Sequence, residues 1–207
     1  MKNYSYICRR EWKLKKDKFF KTLFIIFLIF SFIFTFDMLT KYILIGKLIP
    51  NVGDSVDFID GFINFVYVQN YGAGWGILSG RPVLLIILTL IILSVLVWFY
   101  ITKTKKQDCK FIVLLSFAIG FIISGCIGNL YDRIVFGYVR DFINFQFMSF
   151  PVFNIADISL TIGVILFVLY FLIDYISVIR QEKVKKLENN SYENLDKNDH
   201  KNNNKGN

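Results

Sequence analysis

Four long apolar runs, spread over most of the chain, restrict it to a membrane fold before any other feature is weighed. The first begins at Phe19, reaches Phe36 and continues past Asp37 to about Ile45. The second, Val83 to Ile101, and the third, Phe111 to Leu130, carry no charge, and the fourth runs from about Ile158 to Ile173. Crossing roughly 30 Å of hydrocarbon takes about 20 residues of helix, so runs of this length read as spans. A composition of 55% hydrophobic and 18% aromatic residues over 207 residues points the same way. The first run follows a basic leader, as a signal peptide would. Its core is too long, however, and no small-residue cleavage motif follows, so it is expected to stay as a helix. The expected fold class is an all-α membrane protein with four transmembrane helices and a small extracytoplasmic antiparallel β-sheet between the first two.

Charge predicts the orientation. Residues 1–21 hold eight Lys or Arg, the loop 102–110 holds four, and the tail from Arg180 holds seven, together 19 of 24. Only Lys41, Lys47, Arg81, Arg133 and Arg140 fall to the other side. The positive-inside rule therefore places both termini and the 102–110 loop in the cytoplasm. The net charge of +8 reads as topology and contact with anionic lipid, not as a nucleic-acid footprint. The three cysteines, Cys8, Cys109 and Cys126, form no C-x-x-C and suggest neither a disulfide framework nor a zinc site. The one histidine, His200, lies in the polar tail, which argues against a His-dependent triad and most transition-metal chemistry.

Residues 1–18 form a basic cytoplasmic leader, expected to be partly helical. Residues 19–180 form the transmembrane domain, and the Asn/Lys-rich stretch 181–207 is expected to be a disordered cytoplasmic tail. In the outer loop 46–82, strand formers flank Asp60-Gly61, a dipeptide that predicts a β-hairpin with a type I′ turn. The glycines of NYGAGWG lack the spacing and the surrounding βαβ unit of a nucleotide loop.

This orientation brings charges to one level. Asp37 lies about 27 Å along the first helix from Phe19, at 1.5 Å per residue. The outward-running third helix ends at Asn129, Asp132 and Arg133, and the fourth starts near Asn154 and Asp157, with Asp141 between them. Singly, each has an ordinary structural explanation. Asp37 and Lys41 are an i, i+4 pair, Asp132 beside Arg133 suits an interface, and Asp157 answers a helix dipole. Together, four acids at one depth accompanied by Asn70, Asn129 and Asn154 describe a site. Without a histidine, its chemistry would be a Ser-Lys dyad or a carboxylate pair. Lys41 is available for the first, but Ser55, Ser79 and Ser149 lie in no nucleophile setting. Two close carboxylates cannot both ionise, so one becomes an acid and the other a base. Asp141 and Asp157, flanking the loop between the third and fourth helices, suit that pairing if the loop folds back.

The blocks DMLTK (37–41), NYGAGW (70–75), GNLYDRIVFGYVRDF (128–142) and FPVFNIADISLTIGV (150–164) resemble the lipoprotein signal peptidases, or signal peptidase II. The likeness covers about residues 20 to 180, which makes 19–180 a transmembrane peptidase domain. It implies an aspartic endopeptidase of the bacterial inner (cytoplasmic) membrane, with its site near the outer face. Such an enzyme cuts the signal peptide from diacylglyceryl-modified prolipoproteins just before the lipidated cysteine. By the match, Asp141 and Asp157 are the catalytic pair. Asp37, Lys41, Asn70, Gly72, Asn129, Asp132, Arg133 and Asn154 would position substrate or support the pair. No metal or cofactor is implied. The expected partners are prolipoproteins bearing diacylglyceryl-cysteine and membrane lipids, with no nucleic acid, and a monomer is expected. Met38, Gly74, Trp75 and Ser124 depart from the usual family residues without touching the proposed carboxylates. Trp75 and the outer tyrosines would sit at headgroup level. Two other readings remain: a small transporter using the aspartates as an ion path, and an inactive lipoprotein-binding relative.

Overall fold

The structure, a computed structural model, describes residues 2–74, 77–105 and 111–203, with side chains for 17–74, 77–104 and 111–187. Trp75, part of the 102–110 loop and residues 204–207 lie outside the described residues. Among the described residues, four helices are long and apolar enough to cross a membrane: within Asp17–Leu48, Pro82–Thr104, Ile112–Phe136 and Ile155–Leu187. The chain is a multi-pass membrane protein of mostly helical fold carrying a small three-stranded antiparallel sheet.

Helix α1 runs from Lys2 to Ile43 and ends in a π-helical segment, Leu44–Leu48. Strands β1 (Ser55–Ile59) and β2 (Ile63–Asn70) follow, then α2 (Pro82–Lys105), α3 (Ile112–Phe136), β3 (Val139–Phe145) and α4 (Ile155–Asn203). The predicted hairpin is present, but its turn is not type I′. Gly61 takes φ +68° while Asp60 keeps an ordinary negative φ, so only the residue without a Cβ adopts the left-handed conformation.

The sequence reading missed β3. It extends the sheet in the order β1-β2-β3 and carries Asp141, which is therefore on a strand rather than in a plain loop. Gly137 makes this possible. It caps α3 with φ +82° and donates its N–H to the Arg133 carbonyl at 3.1 Å, turning the chain straight into β3. The paired strands place Val68 opposite Asp141 and Asn70 opposite Val139, with a register shift between Phe65 and Val68. Under the sheet, Ile45, Ile49, Tyr67 and Phe142 form a buried apolar cluster tying it to the end of α1.

Among the four spans α3 is central: 61% of its apolar window is buried, against 11–17% for the others. It packs against both α1 and α2. The chain divides into two compact units, Met1–Phe167 and Val168–Asn207, the second being the continuation of α4. Helix α4 continues through Asn203, over much of the stretch 181–207 expected as a tail. Residues 181–187 are strong helix formers, and Glu182 and Lys186 stand at i, i+4, so local propensity continues the helix beyond its apolar part.

Candidate active site

The start of α4 fixes Asp157. Asn154 caps the helix: its Oδ1 accepts the Asp157 N–H at 3.0 Å, while its own backbone N–H donates to Asp157 Oδ2 at 3.1 Å. This reciprocal pair is a capping box, readable in N-I-A-D as a polar cap followed three residues later by an acid. The amide of Asn154 is then free to reach elsewhere, and its Nδ2 donates to Asp141 Oδ1 at 2.7 Å and Asn129 Oδ1 at 3.0 Å. One residue thus contacts both aspartates. Asn129, on α3, donates to Asp157 Oδ1 at 2.7 Å. On the sheet, Asn70 lies diagonally across from Asp141 on the same face and donates to its Oδ2 at 2.9 Å.

Beneath these groups lies a buried ionic layer. Lys41 Nζ is 2.8 Å from Asp37 Oδ2 and 3.0 Å from Asp132 Oδ2, and all three residues are almost wholly buried. Asp37 Oδ1 accepts the Ala156 N–H at 3.1 Å, which ties α1 to α4 beside Asp157. Arg140 approaches Asp132 from β3, with its Nη2 at 2.7 Å. Charges so deep are tolerable only when paired. These form a balanced set of two acids and two bases.

Above the layer, Asp141, Asp157, Asn70, Asn129 and Arg133 line one cavity of about 1190 Å³. Apolar wall comes from β2, from the segment 149–153 and from the first turns of α4. Arg133 donates from Nη2 to the Gly72 carbonyl at 2.9 Å and from Nη1 to the Asn129 carbonyl at 3.4 Å, and its buried Nε–H has no partner among the described residues. Gly72 is itself held by its N–H to Asn70 Oδ1 at 2.9 Å. Burial, reinforced by the neighbouring Asp157 carboxylate, pushes the Asp141 carboxyl up to about 7 against the pull of its bonds to Asn70 and Asn154.

All ten residues singled out from the sequence therefore converge on this end of the bundle, in two layers. Asp141, Asp157, Asn70, Asn129 and Arg133 face the cavity. Asp37, Lys41 and Asp132 lie in the layer beneath, while Asn154 and Gly72 act as links. The sequence reading missed Arg140, whose role depends on a strand it did not identify. Of the departures from the resemblance, Met38 packs its sulfur 3.8 Å from Arg140 Nη2, and Ser124 turns its hydroxyl back to the Gly120 carbonyl at 2.6 Å.

Comparison with known proteins agrees across sequence and structure. The family model described as signal peptidase (SPase) II matches residues 29–173. The lipoprotein signal peptidases of Staphylococcus aureus strains JH9 and Newman are 43% identical over 149 residues, spanning 71% of this chain and 87% of theirs. A bacterial membrane enzyme solved in meso at 2.3 Å is 41% identical, covers 72% of this chain and 88% of its own, and has a TM-score of 0.65. A second, at 1.9 Å, is 42% identical, covers 71% and 92%, and has a TM-score of 0.62.

Proposed function

The chain belongs to the signal peptidase II family, proteases that remove signal peptides from prolipoproteins, and we propose that it does so as an aspartic endopeptidase acting on diacylglyceryl-modified substrates. The observation that carries this reading is the pair Asp141 and Asp157, facing one cavity and joined through Asn154. With one proton between the two, the ionised carboxylate draws a proton from water as the water attacks the scissile carbonyl. The protonated one polarises that carbonyl and delivers its proton to the leaving amine. Both transfers fall to these side chains, and no cofactor is called for. Arg133 lines the same cavity, and Asn70 and Asn129 hold the carboxylates in register. Asp37, Lys41, Asp132, Gly72 and Asn154 support this arrangement from behind. Exposed apolar residues on α4 beside the cavity, Ile158 and Ile162, give a diacylglyceryl group a lipid-like approach along the bilayer. The scissile bond then sits before the lipidated cysteine at the mouth of the cavity.

Purified protein incubated with a diacylglyceryl-modified prolipoprotein tests this directly. Asp141→Asn and Asp157→Asn are each expected to lower the cleavage rate by at least about 10²–10⁴-fold while remaining folded. Undiminished cleavage by either variant removes that residue from the chemistry, and ion flux without proteolysis favours a transport role.

A further inference from the structure

We propose that Arg140 is a positioning residue for the reaction, clamping the strand that carries Asp141 onto helix α3 through Asp132. This rests on the aspartate-pair reading above. Neighbouring strand residues point to opposite faces, so with Asp141 turned to the cavity, Arg140 turns away from it. There it meets Asp132 three times. Nη2 and Nε donate to Oδ1 at 2.7 and 3.2 Å, and the Arg140 backbone N–H donates to Oδ2 at 3.0 Å. Lys41 takes the remaining place on Oδ2 at 3.0 Å. The roughly four acceptor positions of a carboxylate are then all filled, three of them by one residue.

Two more contacts fix the same residue. Its guanidinium lies 4.4 Å above the Phe136 ring, also on α3, and its carbonyl accepts from Asn154 Nδ2 at 3.4 Å. Downstream of Asp141 the strand is held separately, since the N–H groups of Phe142 and Ile143 donate to the Phe153 carbonyl at 3.1 and 2.8 Å. Upstream, pairing with β2 and this clamp hold it. Arg140 thus decides where Asp141 stands relative to Asn129 and Asp157, which α3 and α4 fix independently. Lysine would keep the charge but lose the planar, multi-point grip and the stacking.

The test uses Arg140→Met, Arg140→Lys and Asp132→Asn in the full chain, with cleavage rates normalised to folded protein and hydrogen exchange followed over residues 139–143. Arg140→Met is expected to lower kcat about ten- to a hundred-fold, the scale of a small misplacement of a reacting group, with KM changed less than about two-fold. Arg140→Lys should recover part of that loss. Combining Arg140→Met with Asp132→Asn should be no worse than the more severe single change, because the two act through one contact. Exchange at 139–143 should quicken in Arg140→Met while α2 stays unchanged. Wild-type kcat, a loss confined to KM, an additive double variant, or unchanged exchange at 139–143 would each overturn the assignment. Cleavage by Asp141→Asn would sink the aspartate-pair reading and this one with it. Unchanged strand exchange, with Asp141→Asn inactive, would sink the positioning role alone.

Discussion

Asp141 sits one residue from a guanidinium yet is set up to keep its proton, because Arg140 points away to Asp132 while the carboxyl is buried facing Asp157. Its folded-state titration near 7 lies above the ordinary 3.8 of the unfolded chain. The native protein therefore binds this proton more tightly than the unfolded one. The resulting stabilisation is fully present below about 3.8 and is lost as pH rises through about 7. Accordingly, the melting temperature should decline from about pH 5 to about pH 8, and Asp141→Asn should remove that part of the decline. Thermal unfolding of both proteins across that range checks it, and identical slopes would deny the shift. At this scale much was legible. Aspartates and asparagines standing where long apolar runs end have few uses, so their position in the pattern marked them. Arg140 was not legible, because a charge in a connecting segment looks the same whether it faces water or a buried carboxylate.

Helices announced themselves by apolar length alone, but β3 did not. In V-R-D-F-I-N-F both faces mix charged and apolar residues, since one face serves the cavity and the other the ionic layer, and the period-two signal cancels. The end of α4 was hidden for a different reason: helix-forming charged residues continue a helix that hydropathy no longer reports. Packing between α3 and α4 depends on backbone approach at Gly125, where an added Cβ would lie 2.8 Å from the Leu160 N and press on the Ala156 carbonyl. A flexible side chain could yield there, but a backbone cannot. Gly125→Val should therefore push the start of α4 away from α3, parting Asn129 from Asp157. Cleavage per folded molecule is expected to fall by about 100-fold, with a lower melting temperature. Cleavage measured beside thermal unfolding decides this, and wild-type values in both would show that the two helices have room to spare.

For the molecule as a whole, the asymmetry of the basic residues predicts an orientation, with both termini and the 102–110 loop on the cytoplasmic side. With the three native cysteines replaced by serine, a cysteine at Asp60 should react with a membrane-impermeant maleimide added to intact cells. One at Lys103 should react only after permeabilisation, and the reverse pattern would turn the protein over. The division of labour between sheet and bundle was less readable, because it depends on which strand joins which. One proposed acid is delivered by a sheet, the other by a helix of the membrane-spanning type. If the two acids do the chemistry together, a copy whose helices are in place but whose third strand is unpaired would hold both acids without hydrolysing anything.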